Sequence, residues 1–108
     1  MEIIFWSPSG EELQSPVFDF IDSEPPKNKK RIMSVLDLFS KQGMNLLQTQ
    51  FLEKVKPHKL FALRIKCSQV TYRILLSIKS GSAVLLHSFK KKTNKIPDKE
   101  IKIALGRA

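Results

Sequence analysis

Arg64, Arg73, His87 and the run Lys90, Lys91, Lys92 all fall within Lys59 to Pro97, which reads KLFALRIKCSQVTYRILLSIKSGSAVLLHSFKKKTNKIP. Cationic groups gathered on one sheet suit a phosphodiester, because two guanidiniums on neighbouring strands give one phosphate several charge-assisted hydrogen bonds. A histidine beside them adds a group that moves protons near neutral pH. Each residue also has an ordinary reading. Arginines alternate outward on many strands, and a lysine run is usually a solvated edge. His87 is ambiguous by parity: it shares a face with Leu85 and Phe89, while Val84, Leu86 and Ser88 share the other. Strict alternation buries it in a hydrogen-bonded role, and a bulge near the strand end re-aims it.

The rest of the chain offers little other chemistry. Cys67 is the single cysteine, and with only His58 and His87 beside it a structural zinc site is not expected. Asp98 and Glu100 sit at the start of a helix, where they favour its dipole. There is no glycine-rich phosphate loop, no carboxylate pair and no Cys–His nucleophile pattern. An enzyme built from this sequence is expected to work with Arg, Lys and His, without metal or cofactor.

Nineteen Lys and Arg against ten Asp and Glu leave a formal charge of +9, which points to polyanionic or acidic partners and says nothing about fold. The 108 residues, 42% hydrophobic, are read as one domain over 1–108, able to bury a core without disulfide or metal. No apolar run approaches the ~20 residues of a membrane span, no signal peptide is visible, and the cytoplasm is the expected compartment.

Several elements must position the cations. Residues 2–6, EIIFW, read as a strand ending at a Ser-Pro-Ser-Gly turn. Ser15-Pro16 starts a short helix, Pro25-Pro26 opens a second through Lys41, and Gly43 stops it. The short link predicts a helical hairpin. Residues 44–58 carry no clear period and read as a helix turn or an irregular connection. From Leu60 the period becomes two, with Phe61, Leu63 and Ile65 facing the helices and Arg64 and Lys66 facing away. Tyr72, Ile74, Leu76 and Ile78 repeat the pattern and put Arg73 on the open face with Arg64. Short turns at Cys67–Gln69 and Lys79–Ser82 predict a three-stranded antiparallel meander, and Pro97 begins a last helix. The expected class is α+β: N-terminal strand, helical hairpin, three-stranded meander, C-terminal helix.

Along these residues the sequence resembles the RelE/ParE toxin superfamily, closest to its HigB-type, phage-derived branch. LFALRIK, TYRILLSIKSG and above all VLLHSFKKKTNKIPDKEIKIAL carry the likeness. The resemblance implies a RelE-like fold and the toxin of a bacterial type II toxin–antitoxin pair. Its expected activity is metal-free, ribosome-dependent cleavage of mRNA by attack of the ribose 2′-OH on the adjacent phosphate. It implies that Arg64 and Arg73 hold phosphate and stabilise charge, that His87 transfers a proton, and that Lys91 and Lys92 supply charge or acid catalysis. Lys66, Lys90 and Lys95 are expected RNA or ribosome contacts. The expected partners are a helix-turn-helix antitoxin, the ribosome and mRNA. The shared fold keeps open a ParE-like inhibitor of DNA gyrase, or a basic module that binds RNA or antitoxin without cutting.

Overall fold

A computed structural model describes residues 1–91 and 95–108. The chain runs β1 (Glu2–Phe5), α1 (Pro16–Asp22), α2 (Pro26–Gln42), β2 (Leu52–Val55), β3 (Leu60–Cys67), β4 (Val70–Lys79), β5 (Ser82–Lys91) and α3 (Asp98–Arg107), with single 3-10 turns at Glu12–Gln14 and Gly43–Leu46. All five strands join one sheet in the order β1-β5-β4-β3-β2. β2 to β5 pair antiparallel in sequence order, and β1 lies parallel to β5, with Glu2 beside Ser82 and Phe5 beside Leu85.

The fold is α+β, but the expected three-stranded meander is corrected to a five-stranded mixed sheet. The segment read as a helix turn or irregular connection supplies β2, which extends the antiparallel ladder by one strand. The N-terminal strand closes the other edge through a parallel pairing that no hairpin announces.

Local chemistry sets the helix boundaries. Ser15 Oγ accepts from Phe18 N at 3.4 Å, and Pro16 follows as the first helical residue, where a missing N–H costs nothing. Pro26 likewise opens α2, and Gly43, at φ +56°, ends it by donating its N–H to the Phe39 carbonyl. Both helices pack on one face of the sheet. Val17 and Ile21 of α1 and Ile32, Val35, Leu36 and Phe39 of α2 meet Leu63, Ile65, Tyr72, Ile74, Leu76 and Leu85. Each such aliphatic side chain, removed from water, contributes about 1.5–3 kcal/mol. A smaller core, including Ala62, Leu75, Leu86, Phe89 and Ala104, lies on the opposite face beneath α3.

The β4–β5 turn has positive φ at both central residues, 51° at Ser80 and 80° at Gly81. That is the type I′ geometry favoured by Asn-Gly, and it costs an L-residue such as serine free energy. Ser80→Asn is expected to raise stability by about 0.5–1 kcal/mol in denaturant unfolding. An unchanged or lower midpoint would show that the turn does not limit stability.

Candidate active site

The face of the sheet opposite α1 and α2 collects the cations. Arg64 of β3 stands directly across from Arg73 of β4, and Arg73 in turn stands across from Phe89 of β5. Leu75 pairs with His87 while the next residue, Leu76, pairs with Leu85, so β5 carries one extra residue at Leu86. This bulge resolves the parity of the strand. Leu85 joins the core beneath α1 and α2, whereas Leu86 and Phe89 join the core beneath α3. His87, Phe89 and Lys91 therefore follow one another on the face that carries both arginines.

Like charges directly opposite on a sheet repel, and Glu53 of β2 compensates for them. One carboxylate oxygen, Oε2, takes Arg64 Nη2 at 3.0 Å, and the other, Oε1, takes Arg73 Nη1. Arg73 is 4% exposed, and its burial lowers its pKa from the ordinary value, although a guanidinium stays protonated across the working range. Arg64 and Glu53 form the accessible side of the cluster, each with about a third of its side chain in contact with solvent.

Lys91 has no such partner. It is 8% exposed, and its Nζ is buried with no hydrogen bond among the described residues. Burial first, then the charges of Arg73 and Arg64, push its pKa down to about 8. The Nε atoms of Arg64 and Arg73 are also buried with no acceptor among the described residues. Three cations thus converge with unused donors and one carboxylate between them.

His87 sits beyond Phe89 on the same face, its ring stacked on the phenyl ring at a centroid distance of 5.7 Å. Its Nε2 lies 3.1 Å from Oε1 of Glu100 in α3. An ionised carboxylate only accepts, so Nε2 carries the hydrogen and Nδ1 is left to take a proton. The far end of α3 is fastened too. Arg107 donates from Nη1 to the Leu86 carbonyl at 2.8 Å and lies over the Trp6 ring at 4.8 Å.

Of the residues singled out in the sequence, Arg64, Arg73, His87 and Lys91 share this face. Lys66 is exposed, two residues along β3 from Arg64. Lys90 points the other way, its Nζ 3.1 Å from Oε1 of Glu24. There it borders a polar network in which Tyr72 OH donates to Glu24 at 2.6 Å and accepts from Asn28 Nδ2 at 2.8 Å. Burial first, then its bond to Glu24, raises the Tyr72 pKa, and the same tyrosine is the main cause lowering that of Glu24. Lys95 is exposed after the end of β5. Lys92 lies outside the described residues.

Glu53 is the site residue that sequence reasoning missed. Its only signal is a four-residue strand, LEKV, too short to show a period. Among the described residues no group of three or more His, Cys, Asp or Glu side chains is placed to hold a metal ion, and no helix is long and apolar enough to cross a membrane.

No curated protein matches the chain. The family of phage-derived Gp49-like proteins (DUF891) matches over residues 19–108, a span that takes in α2, β2 to β5 and α3 with every residue of the cationic face. The chain belongs to this phage-derived Gp49-like family.

Proposed function

We propose that this protein is a metal-independent endoribonuclease, the toxin of a bacterial type II toxin–antitoxin pair, and that it cuts mRNA on the ribosome in the cytoplasm. The observation that carries the reading is the position of Arg73. Arg64 is directly opposite it, while His87 and Lys91 are its diagonal neighbours on β5, on either side of Phe89. Diagonal neighbours lie within reach of long side chains. The four-residue step from His87 to Lys91 spans roughly 13 Å of strand. A phosphate held at Arg73 has a proton acceptor towards one side and a proton donor towards the other.

In-line displacement needs that arrangement. His87 Nδ1 takes the proton of the 2′-OH as the oxygen attacks phosphorus. The guanidiniums of Arg64 and Arg73 stabilise charge on the non-bridging oxygens. Lys91, protonated below about pH 8, gives a proton to the departing 5′ oxygen. The products are a 2′,3′-cyclic phosphate and a free 5′-OH, and the need for a 2′-OH confines the reaction to RNA. Lys66 and Lys95 supply additional positive charge for the RNA backbone, and an acidic or helix-turn-helix antitoxin covers the face by charge complementarity.

Expression without an antitoxin is expected to arrest growth and leave mRNA cut within translated codons, with His87→Ala reducing cleavage by about 10²-fold or more. Arrest with intact mRNA would end this reading. Gyrase-dependent DNA cleavage that persists in His87→Ala would favour the ParE-like alternative, and salt-sensitive RNA affinity without products would indicate a binding module.

A further inference from the structure

Glu53 stands where an anion belongs. Its two oxygens are divided between two guanidiniums on adjacent strands, 3.0 Å from Arg64 Nη2 on one side and hydrogen-bonded to Arg73 Nη1 on the other. A phosphate bridging the same pair would use two of its non-bridging oxygens in the same way. The carboxylate also lies on the accessible side of the cluster, since Arg73 and Lys91 behind it are almost wholly buried. Three donors of these cations have no acceptor among the described residues: Nε of Arg64, Nε of Arg73 and Nζ of Lys91. A carboxylate with two oxygens has satisfied part of a site that offers more donors than it can take.

We propose that Glu53 is a resident anion that occupies the phosphate position between Arg64 and Arg73, and that substrate enters by displacing it. The inference rests on the reading of this cluster as a phosphate site. It supplies a form of self-restraint. In the free protein the carboxylate neutralises the arginines and keeps the sheet face closed to stray polyanions. A substrate positioned by other contacts, as on a ribosome, brings a phosphate at high local concentration and wins the exchange. The displaced carboxylate swings outward from β2, the strand at the edge of the sheet. Lys91 gains its first anionic partner at the same moment.

The test compares wild type, Glu53→Gln and Glu53→Asp for binding of inorganic phosphate and of a single-stranded oligodeoxynucleotide, which offers phosphodiesters without a nucleophile. Calorimetry at low ionic strength is the readout. Glu53→Gln is expected to bind both probes about tenfold more tightly, because a charged competitor is gone. Its oligonucleotide affinity should also fall more steeply with salt, by roughly 0.7 in the logarithmic slope for one more phosphate neutralised. Glu53→Asp, too short to span both arginines, should fall between the two and serves alone if the glutamine variant does not fold. A residue that only stabilises the sheet would lower the melting temperature on substitution without raising affinity, and that result overturns the proposal. Equal affinities alongside cleaved mRNA from the wild type overturn the occupancy and leave the ribonuclease reading standing. Absence of binding by all three proteins, with no cleavage on ribosomes, overturns both.

Discussion

Lys91→Met is expected to make the protein more stable and nearly inactive. The substitution removes an ammonium that is 8% exposed and has no hydrogen-bond partner among the described residues, and it fills the same space with an apolar chain. Removing an unpaired buried charge should stabilise the fold by about 1–3 kcal/mol. Loss of the proton donor and of one cation at the transition state should lower mRNA cleavage by about 10²–10⁴-fold. The pH dependence gives an independent check. The Lys91 pKa is about 8 in the fold against an ordinary 10.5, so between those values the unfolded chain holds more protons. Wild-type stability therefore rises with pH across that window, while cleavage falls above about 8 as the donor loses its proton. Lys91→Met should lack the contribution of this group to the rise. Denaturant unfolding from pH 7 to 10.5, beside a cleavage assay, measures both. A variant that is less stable than wild type, or that still cuts, contradicts the role.

Arg73→Ala should lose both properties at once. Arg73 is as buried as Lys91, but it has a counter-ion in Glu53 and fills the centre of the face. Deleting it opens a cavity and leaves Glu53 to Arg64 alone. Part of the cost is offset, since Arg64 and Lys91 no longer repel it, and Glu53 is partly solvated. The net loss is expected to be about 1–3 kcal/mol. Cleavage should fall by about 10²–10³-fold as the main phosphate ligand disappears. A third consequence is specific to this geometry. The charge of Arg73 is the second cause holding down the Lys91 pKa, after burial. Its removal should move the Lys91 pKa back towards the ordinary value, measurable by NMR titration of the side-chain ammonium. Unchanged Lys91 titration would show that the two groups do not share a site. Two cations on adjacent strands thus have opposite expected effects on stability, and the difference lies in which of them has a carboxylate.

Much of this arrangement is legible in the amino-acid order, and the rest is missing for definite reasons. The period of two through Phe61, Leu63 and Ile65, and again through Tyr72, Ile74 and Leu76, follows from burial of one face beneath α1 and α2. Pro16, Pro26 and Gly43 mark helix ends because their backbone preferences act locally. Long-range pairings leave no such mark. β1 lies beside β5, some eighty residues later, through parallel bonds that no turn residue signals. β2 is four residues long with burial only at Leu52 and Val55, a pattern a helical turn would share. Without β2, the sequence gives Glu53 no position relative to the arginines. The facing of His87 is not legible in the sequence because alternation assumes an unbroken ladder, and no residue type in Leu85-Leu86-His87 announces a bulge.

That bulge has a consequence for how the protein tolerates change. β5 is in two phases: up to Leu85 one parity faces the helical core, and from His87 onward the other does. Leu86 is the splice between them, its carbonyl secured by Arg107 from the end of α3. Substitutions there alter packing and little else. Loss of the single residue would close the ladder, with Leu85 opposite Leu76 and His87 next to it opposite Leu75, so His87, Phe89 and Lys91 would keep the face that carries the arginines. The reading frame of this strand, in a spatial sense, therefore has one spare position: the strand can lose Leu86 and keep its phase, whereas an in-frame deletion of the paired Ser88 would turn Phe89 and Lys91 away from the arginines.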